Sequence, residues 1–209
     1  MKSFLLPRVY PLTDVAINGL SHAEQIRRLS AGGASLVQFR EKFLPAGDFY
    51  HEAQTALRLT RELGMRLIIN DRVDVALALG ADGVHLGQDD LEPNEARKLL
   101  GANAIIGLST HNVAQALQAQ KAPIDYLAVG PIFQTTTKQD TSPVLGLAGL
   151  SEIRQIISGI PLVAIGGITE SNAAEVIQAG ADSVAVVSAL LSSPEHISKR
   201  TANLLNLLA

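Results

Sequence analysis

No cysteine and no tryptophan occur in the 209 residues, and aromatic residues make up only 4% of them. The lack of thiols excludes disulfides, thiolate-held metals and cysteine nucleophiles, and it fits a reducing compartment. Lysine and arginine number 17 against 20 acidic residues, for a formal charge of -3, and they neither form a block nor alternate with aromatics. A nucleic-acid footprint is therefore missing. The apolar run Phe4-Leu5-Leu6 is cut off by Pro7-Arg8, too short for a secretory core or a spanning helix. The expectation is a cytoplasmic protein that engages neither nucleic acid nor membrane, and no motif marks a protein partner or an oligomer.

What the chain does have is an apolar fraction of 47%, a charged fraction of 18% and 17 glycines. This is the profile of a compact fold with many tight connections, and the length suits one domain over residues 1–209. Short apolar runs at 9–13, 36–40, 66–70, 83–86, 104–109, 126–130, 162–166 and 183–188 predict eight strands. Amphipathic segments near 21–31, 48–63, 72–80, 94–101, 112–120, 149–157, 170–179 and 195–207 predict the helices between and after them. The punctuation Ala31-Gly-Gly-Ala34, Leu79-Gly-Ala-Asp82 and Ala179-Gly-Ala-Asp182 stops a helix at glycine and launches the next strand. Eight such units predict a compact single-domain α/β fold, a (β/α)8 TIM barrel whose chemistry sits at the carboxyl ends of the strands. A doubly wound open sheet is the rival architecture.

The residues of unusual chemistry fall at that rim. If the second strand stays extended, Gln38, Arg40 and Lys42 point the same way, and two cations with an amide need an anionic guest to offset their desolvation. Arg40 supplies a planar fork of donors and Lys42 a mobile point charge, a clamp suited to phosphate, unless both are ordinary solvated cations with Glu41 as their partner. Asn70-Asp71 and Gln88-Asp89-Asp90 place oxygens after the next two strands. Asp71 and Asp90 together suit Mg2+ shared with diphosphate, although Asp71 also has the position of an N-cap before Arg72 and Asp90 of a turn residue before Pro93. Asp89 is expected to face outward.

Ser109 ends the fifth strand, either satisfying backbone there or offering its hydroxyl to the same anion. Thr135-Thr136-Thr137-Lys138 reads as a polar lid carrying a third cation. Ile165-Gly166-Gly167-Ile168, followed by Thr169-Glu170-Ser171-Asn172 at a helix start, has the form of a phosphate cup, with Val187-Ser188 beside it, or of tight packing alone. His22, His51, His85, His111 and His196 lack ligand spacing for zinc, and His85 is expected to be packed within its strand. No nucleophile-elbow sequence is present, so acyl-enzyme hydrolysis is not expected.

Taken in order, Tyr10-Pro-Leu-Thr-Asp14, Gln38-Phe-Arg-Glu-Lys42, Ile69-Asn-Asp71, Gly83-Val-His-Leu-Gly-Gln-Asp-Asp90, Gly107-Leu-Ser109, Gly130-Pro-Ile-Phe133 with Thr135-Thr-Thr-Lys138, and Ile165-Gly-Gly-Ile-Thr169 resemble the thiamine phosphate synthase family over nearly the whole chain. The resemblance implies a transferase that joins 4-amino-2-methyl-5-hydroxymethylpyrimidine diphosphate to 4-methyl-5-(2-phosphoethyl)thiazole, or its carboxylated form, with release of pyrophosphate. It implies that Gln38, Arg40, Lys42, Asn70, Ser109 and Lys138 hold the diphosphate and that Asp71 and Asp90 hold magnesium. Gly167, Val187 and Ser188 would take the thiazole phosphate, and Thr135 and Thr137 would help place the thiazole. A thiazole tautomerase or a noncatalytic binder of phosphorylated thiazole is the alternative. Other phosphate-using barrels do not call for the clamp together with the acid pair.

Overall fold

The computed structural model describes residues 5–135 and 142–209. Eight parallel strands close into a barrel in the order β1 to β8, each paired with its sequence neighbour and β8 returning to β1. The strands are β1 Val9–Thr13, β2 Leu36–Phe39, β3 Arg66–Asn70, β4 Gly83–Leu86, β5 Ile105–Thr110, β6 Tyr126–Val129, β7 Leu162–Ile165 and β8 Ser183–Val186. The helices are α1 Val15–Asn18, α2 His22–Ala31, α3 Ala46–Glu62, α4 Val73–Leu79, α5 Pro93–Leu100, α6 Val113–Ala119, α7 Gly146–Ile156, α8 Ala173–Gln178, α9 Ser188–Leu191 and α10 Ile197–Leu207. None of the described helices is long and apolar enough to cross a membrane.

Strand alternation divides the core in two. One set, including Val37, Phe39, Leu67, Ile69, Val84 and Leu127, packs outward against the helices. The other, including Tyr10, Leu12, Leu36, Ile68, Tyr126 and Val163, fills the barrel. Period-two side-chain direction makes this division, and burial on both faces explains why the strands read as continuous apolar runs. Gly107 serves the inner set directly, because a Cβ there would overlap the ring of Tyr126.

The helix-ending glycines behave as expected at Gly80, which closes α4 in the left-handed region with φ 62°. The aspartates that precede three of the strands have a further duty. Asp82 accepts a hydrogen bond from Leu67 N at 2.9 Å, Asp125 from Ile106 N at 2.8 Å and Asp182 from Leu162 N at 2.8 Å. Each acid stands just before an even-numbered strand and holds the beginning of its odd-numbered neighbour, opposite the functional rim.

The predicted boundaries shift at the rim. β2 stops at Phe39 rather than residue 40, so Arg40 and Lys42 lie in the following loop. β8 stops at Val186, because Val187 leaves the extended region with φ -118° and ψ -85° and its carbonyl accepts from Leu190 and Leu191. Ser188 is therefore the first residue of the short helix α9 and not a strand end. α8 begins at Ala173, and residues 170–172, expected within it, form a turn in which Asn172 Oδ1 accepts from Thr169 N at 2.8 Å. The short helices α1 and α9 have too few residues to display a helical period.

Candidate active site

At the carboxyl rim the strand ends surround a cavity of about 740 Å³. Gln38, Arg40, Lys42, Asn70, Asp71, Asp90 and Ser109 all line it. A smaller pocket of about 120 Å³ is lined by Thr135, Gly166, Gly167, Val187 and Ser188. Leu12, Arg40, Ser109, His111, Ile165 and Ala185 line both, so the two spaces share a wall. Thr137 and Lys138 lie outside the described residues.

Local contacts explain how the clamp cations reach the cavity while the acid between them does not. Glu41 turns away, accepting from Phe43 N at 2.6 Å and lying 3.3 Å from His22 Nε2. It is therefore not the partner of Arg40 or Lys42. Burial pushes the Glu41 carboxyl upward, but the Phe43 amide and the His22 ring overcome it and leave the pKa below its ordinary value. His22, itself 1% exposed, is held by Thr13 Oγ1 at 2.7 Å and rests against Phe39. Burial lowers its pKa despite the opposing pull of Glu41.

Arg40 pairs instead with Asp14, and Lys42 with Asp71. Asp14 also accepts from Ala16 N at 3.0 Å, capping α1. Its role as counter-ion to Arg40 was not among the sequence expectations, although its position after the first strand was the available signal.

Asp71 is not a helix cap. Its backbone lies in the left-handed region at φ 61°, α4 begins two residues later, and the cap position belongs to Arg72 with no side-chain hydrogen bond. That strained backbone directs the carboxylate across the rim toward Lys42 and Asp90. Asp90 accepts from Gly87 N at 2.6 Å, so the turn role and the cavity role coexist, while Asp89, expected to face outward, is exposed but also lines the cavity. Burial, and then the neighbouring Asp71 carboxylate, raise the Asp90 pKa above its ordinary value against the pull of Gly87 N–H and Lys42. Two neighbouring carboxylates, one of them paired with Lys42, form a donor set fit for a hard divalent ion that keeps its other positions for phosphate and water. Among the described residues no cluster of three or more such ligands occurs.

Asn70 is 6% exposed, and its Nδ2 has no hydrogen-bond partner among the described residues. The residue lines the cavity, and a buried donor without an acceptor costs stability unless a guest, reached by a turn of the amide, supplies one. Gln38 sits deeper than the cations, 2% exposed, with Nε2 donating to Tyr10 Oη at 3.1 Å. Ser109 Oγ is 2.8 Å from His85 Nε2.

In the small pocket, Gly166 and Gly167 have φ 101° and 65°. A Cβ on Gly167 would stand 2.6 Å from Gln134 O and 2.7 Å from Phe133 Cβ. Close packing against the segment after β6 therefore accounts for the glycine, and the same close approach shapes the pocket wall.

The description thiamine monophosphate synthase matches residues 9–190. The chain belongs to that family. It is 51% identical over 189 residues to the thiamine-phosphate synthase of Chloroflexus aurantiacus, covering 90% of this chain and 87% of the relative. Identity to the thiamine-phosphate synthase of Clostridium novyi is 46% over 200 residues, covering 94% and 98%. The solved thiamine phosphate pyrophosphorylase from Pyrococcus furiosus superposes with a TM-score of 0.87 at 38% identity, covering 96% of this chain and 95% of that one. Family membership implies a transferase of thiamine biosynthesis. Within this thiamine monophosphate synthase family chain, Tyr10, Tyr126 and His111 also line or support the cavity and carry polar atoms that sequence reasoning left unassigned. Both tyrosines are also part of the core.

Proposed function

We propose that the protein forms thiamine monophosphate from 4-amino-2-methyl-5-hydroxymethylpyrimidine diphosphate and 4-methyl-5-(2-phosphoethyl)thiazole, or its carboxylated form, with release of pyrophosphate and, from the carboxylated form, of carbon dioxide as well. The observation that carries this reading is the shared wall between two spaces of different chemistry. One holds cations, the Asn70 donor and the paired acids, and the other is a small glycine-walled pocket. A diphosphate in the first and a phosphorylated thiazole in the second would meet where Arg40 and Ser109 stand.

In the reaction the C–O bond between the pyrimidine methylene and the diphosphate breaks, and the electron pair leaves with the diphosphate. The thiazole nitrogen then donates its lone pair to the methylene, so no protein nucleophile and no proton abstraction are needed. Arg40 and Lys42 stabilise the charge that grows on the leaving group, which offers several anionic oxygens where Asp14 offers one carboxylate. Asn70 Nδ2 and the Ser109 hydroxyl add neutral donors, and Gln38 orients from the floor. Asp71 and Asp90 would hold Mg2+, which when bound supplies positive charge opposite the departing oxygens. Gly167, Val187 and Ser188 would take the thiazole phosphate, with Thr135 and Thr137 placing the ring and Lys138 adding a third cation. Closure over the site would keep water from the methylene, so a Thr137 variant should leak the pyrimidine alcohol as a side product.

The test mixes purified protein with both substrates and magnesium and measures thiamine monophosphate. Product should form, fail to form after chelation, and form about 100-fold more slowly with Arg40→Ala, whose far-ultraviolet circular dichroism should match the wild type. Undiminished turnover without any divalent ion removes the metal role. An unaffected Arg40→Ala enzyme removes the clamp.

A further inference from the structure

Five polar side chains from five different strands join in one line through the barrel interior. Gln38 Nε2 lies 3.1 Å from Tyr10 Oη, Tyr10 Oη 3.0 Å from Tyr126 Oη, Tyr126 Oη 2.9 Å from His85 Nδ1, and His85 Nε2 2.8 Å from Ser109 Oγ. Both tyrosines are at most 1% exposed, and His85 stacks on Tyr126 with ring centroids 5.6 Å apart. Both ends of the line, Gln38 and Ser109, line the main cavity, as do Tyr10 and His85 between them.

The order of protons along such a line is not arbitrary, because each hydroxyl has one proton and the amide nitrogen can only donate. Tyr10 oxygen receives from Gln38, and its own proton meets no acceptor other than Tyr126 Oη among the described residues, so it goes to Tyr126. Tyr126 passes its proton on to His85 Nδ1. A neutral imidazole that accepts at Nδ1 carries its hydrogen at Nε2, which then donates to Ser109 Oγ. Burial pushes both tyrosine pKa values upward, so they stay neutral hydroxyl donors. The reverse order would spend the Ser109 proton on the histidine.

We propose that Tyr10, Tyr126 and His85 form a one-way relay, started by the Gln38 amide, that fixes His85 as the Nε2–H tautomer and turns the Ser109 hydroxyl proton into the cavity. His85 is thus a positioning residue that acts on the bound anion through Ser109, although its ring also lines the cavity. The identity of that anion as diphosphate rests on the function proposed above; the direction of the relay does not.

Two measurements on the full-length protein test this. In protein labelled with 15N-histidine, the His85 resonances, identified by their loss in His85→Gln, should show a protonated Nε2 and a bare Nδ1. A proton on Nδ1, or on both nitrogens, would overturn the relay. The second is a cycle of inorganic pyrophosphate binding with magnesium, measured by calorimetry. Tyr126→Phe should weaken binding roughly five- to tenfold in the wild-type background, about the effect of one lost hydrogen bond of ordinary strength, and less than about twofold when Ser109 is already alanine. Equal losses in both backgrounds would make Tyr126 a packing residue and overturn the proposal. His85→Gln, which can place an N–H where Nε2 stands, should bind pyrophosphate more tightly than His85→Ala; equal weakening counts against it. If the tautomer and the coupling hold while no thiamine monophosphate forms, the relay stands and the proposed reaction falls. Product formation with His85 protonated at Nδ1 sinks the relay alone.

Discussion

Replacing Asn70 with leucine should make the protein more stable and a poorer binder of pyrophosphate. The amide is 6% exposed and its nitrogen has no partner among the described residues, so it carries the penalty of an unsatisfied buried donor. That penalty is about 1–3 kcal/mol, and leucine of nearly the same size removes it. A gain of about 1–2 kcal/mol corresponds to a rise in Tm of roughly 2–8 °C for a chain of this length. The same amide, when it meets an anionic oxygen, contributes about 2 kcal/mol, so its loss weakens pyrophosphate about 30-fold. At a concentration about 100 times the wild-type Kd, pyrophosphate adds about 2.7 kcal/mol to the wild type, whereas a 30-fold weaker variant gains only about 0.9 kcal/mol. Scanning calorimetry with magnesium, with and without pyrophosphate, reads both quantities in one pair of melts. An Asn70→Leu protein that melts no higher than wild type and gains the same shift from pyrophosphate refutes the reasoning on both counts.

The barrel's opposite end offers a purely structural test. Asp125 accepts from Ile106 N and pairs with Arg97 at 2.6 Å, so Asp125→Ala should destabilise by about 2 kcal/mol and lower Tm roughly 4–8 °C with turnover per folded molecule unchanged; a loss under about 0.5 kcal/mol would show that the contact is idle. Because burial holds the His22 pKa below its unfolded value near 6.5, the unfolded chain takes up that proton first. Its contribution is complete above about pH 6.5 and is lost as pH falls toward the folded value. Urea midpoints should therefore drop more between pH 7 and pH 5.5 in the wild type than in His22→Gln, and parallel drops would remove His22 as the cause.

The strand succession was readable because burial on both faces leaves an apolar run, and the glycines after helices mark where one element ends. The rim boundaries were less readable. Ser188 has the composition of a strand end, yet the backbone turns at Val187, where carbonyl contacts to the next helical turn decide the conformation. Asp71 could be read as a helix cap or as a cavity acid, because aspartate before a helix is often a cap; the left-handed backbone and the start of the helix two residues later decide against the cap. Glu41 was an open choice between partnering the clamp cations and leaving them, and His22, 19 residues earlier, settled it.

The spacing of Gln38, Arg40 and Lys42, and the placing of Asn70, Asp71, Asp90 and Ser109 after successive strands, were properties of the linear chain, since a regular β/α alternation sends every strand end to one rim. Which charge answers which, Arg40 to Asp14 and Lys42 to Asp71, was decided only when the barrel closed. The Tyr10 to Tyr126 contact, spanning 116 residues, belongs wholly to that closure, with room supplied by Gly107. Periodicity is local and survives in sequence, whereas hydrogen-bond partners across a barrel depend on strand register, which exists only in three dimensions.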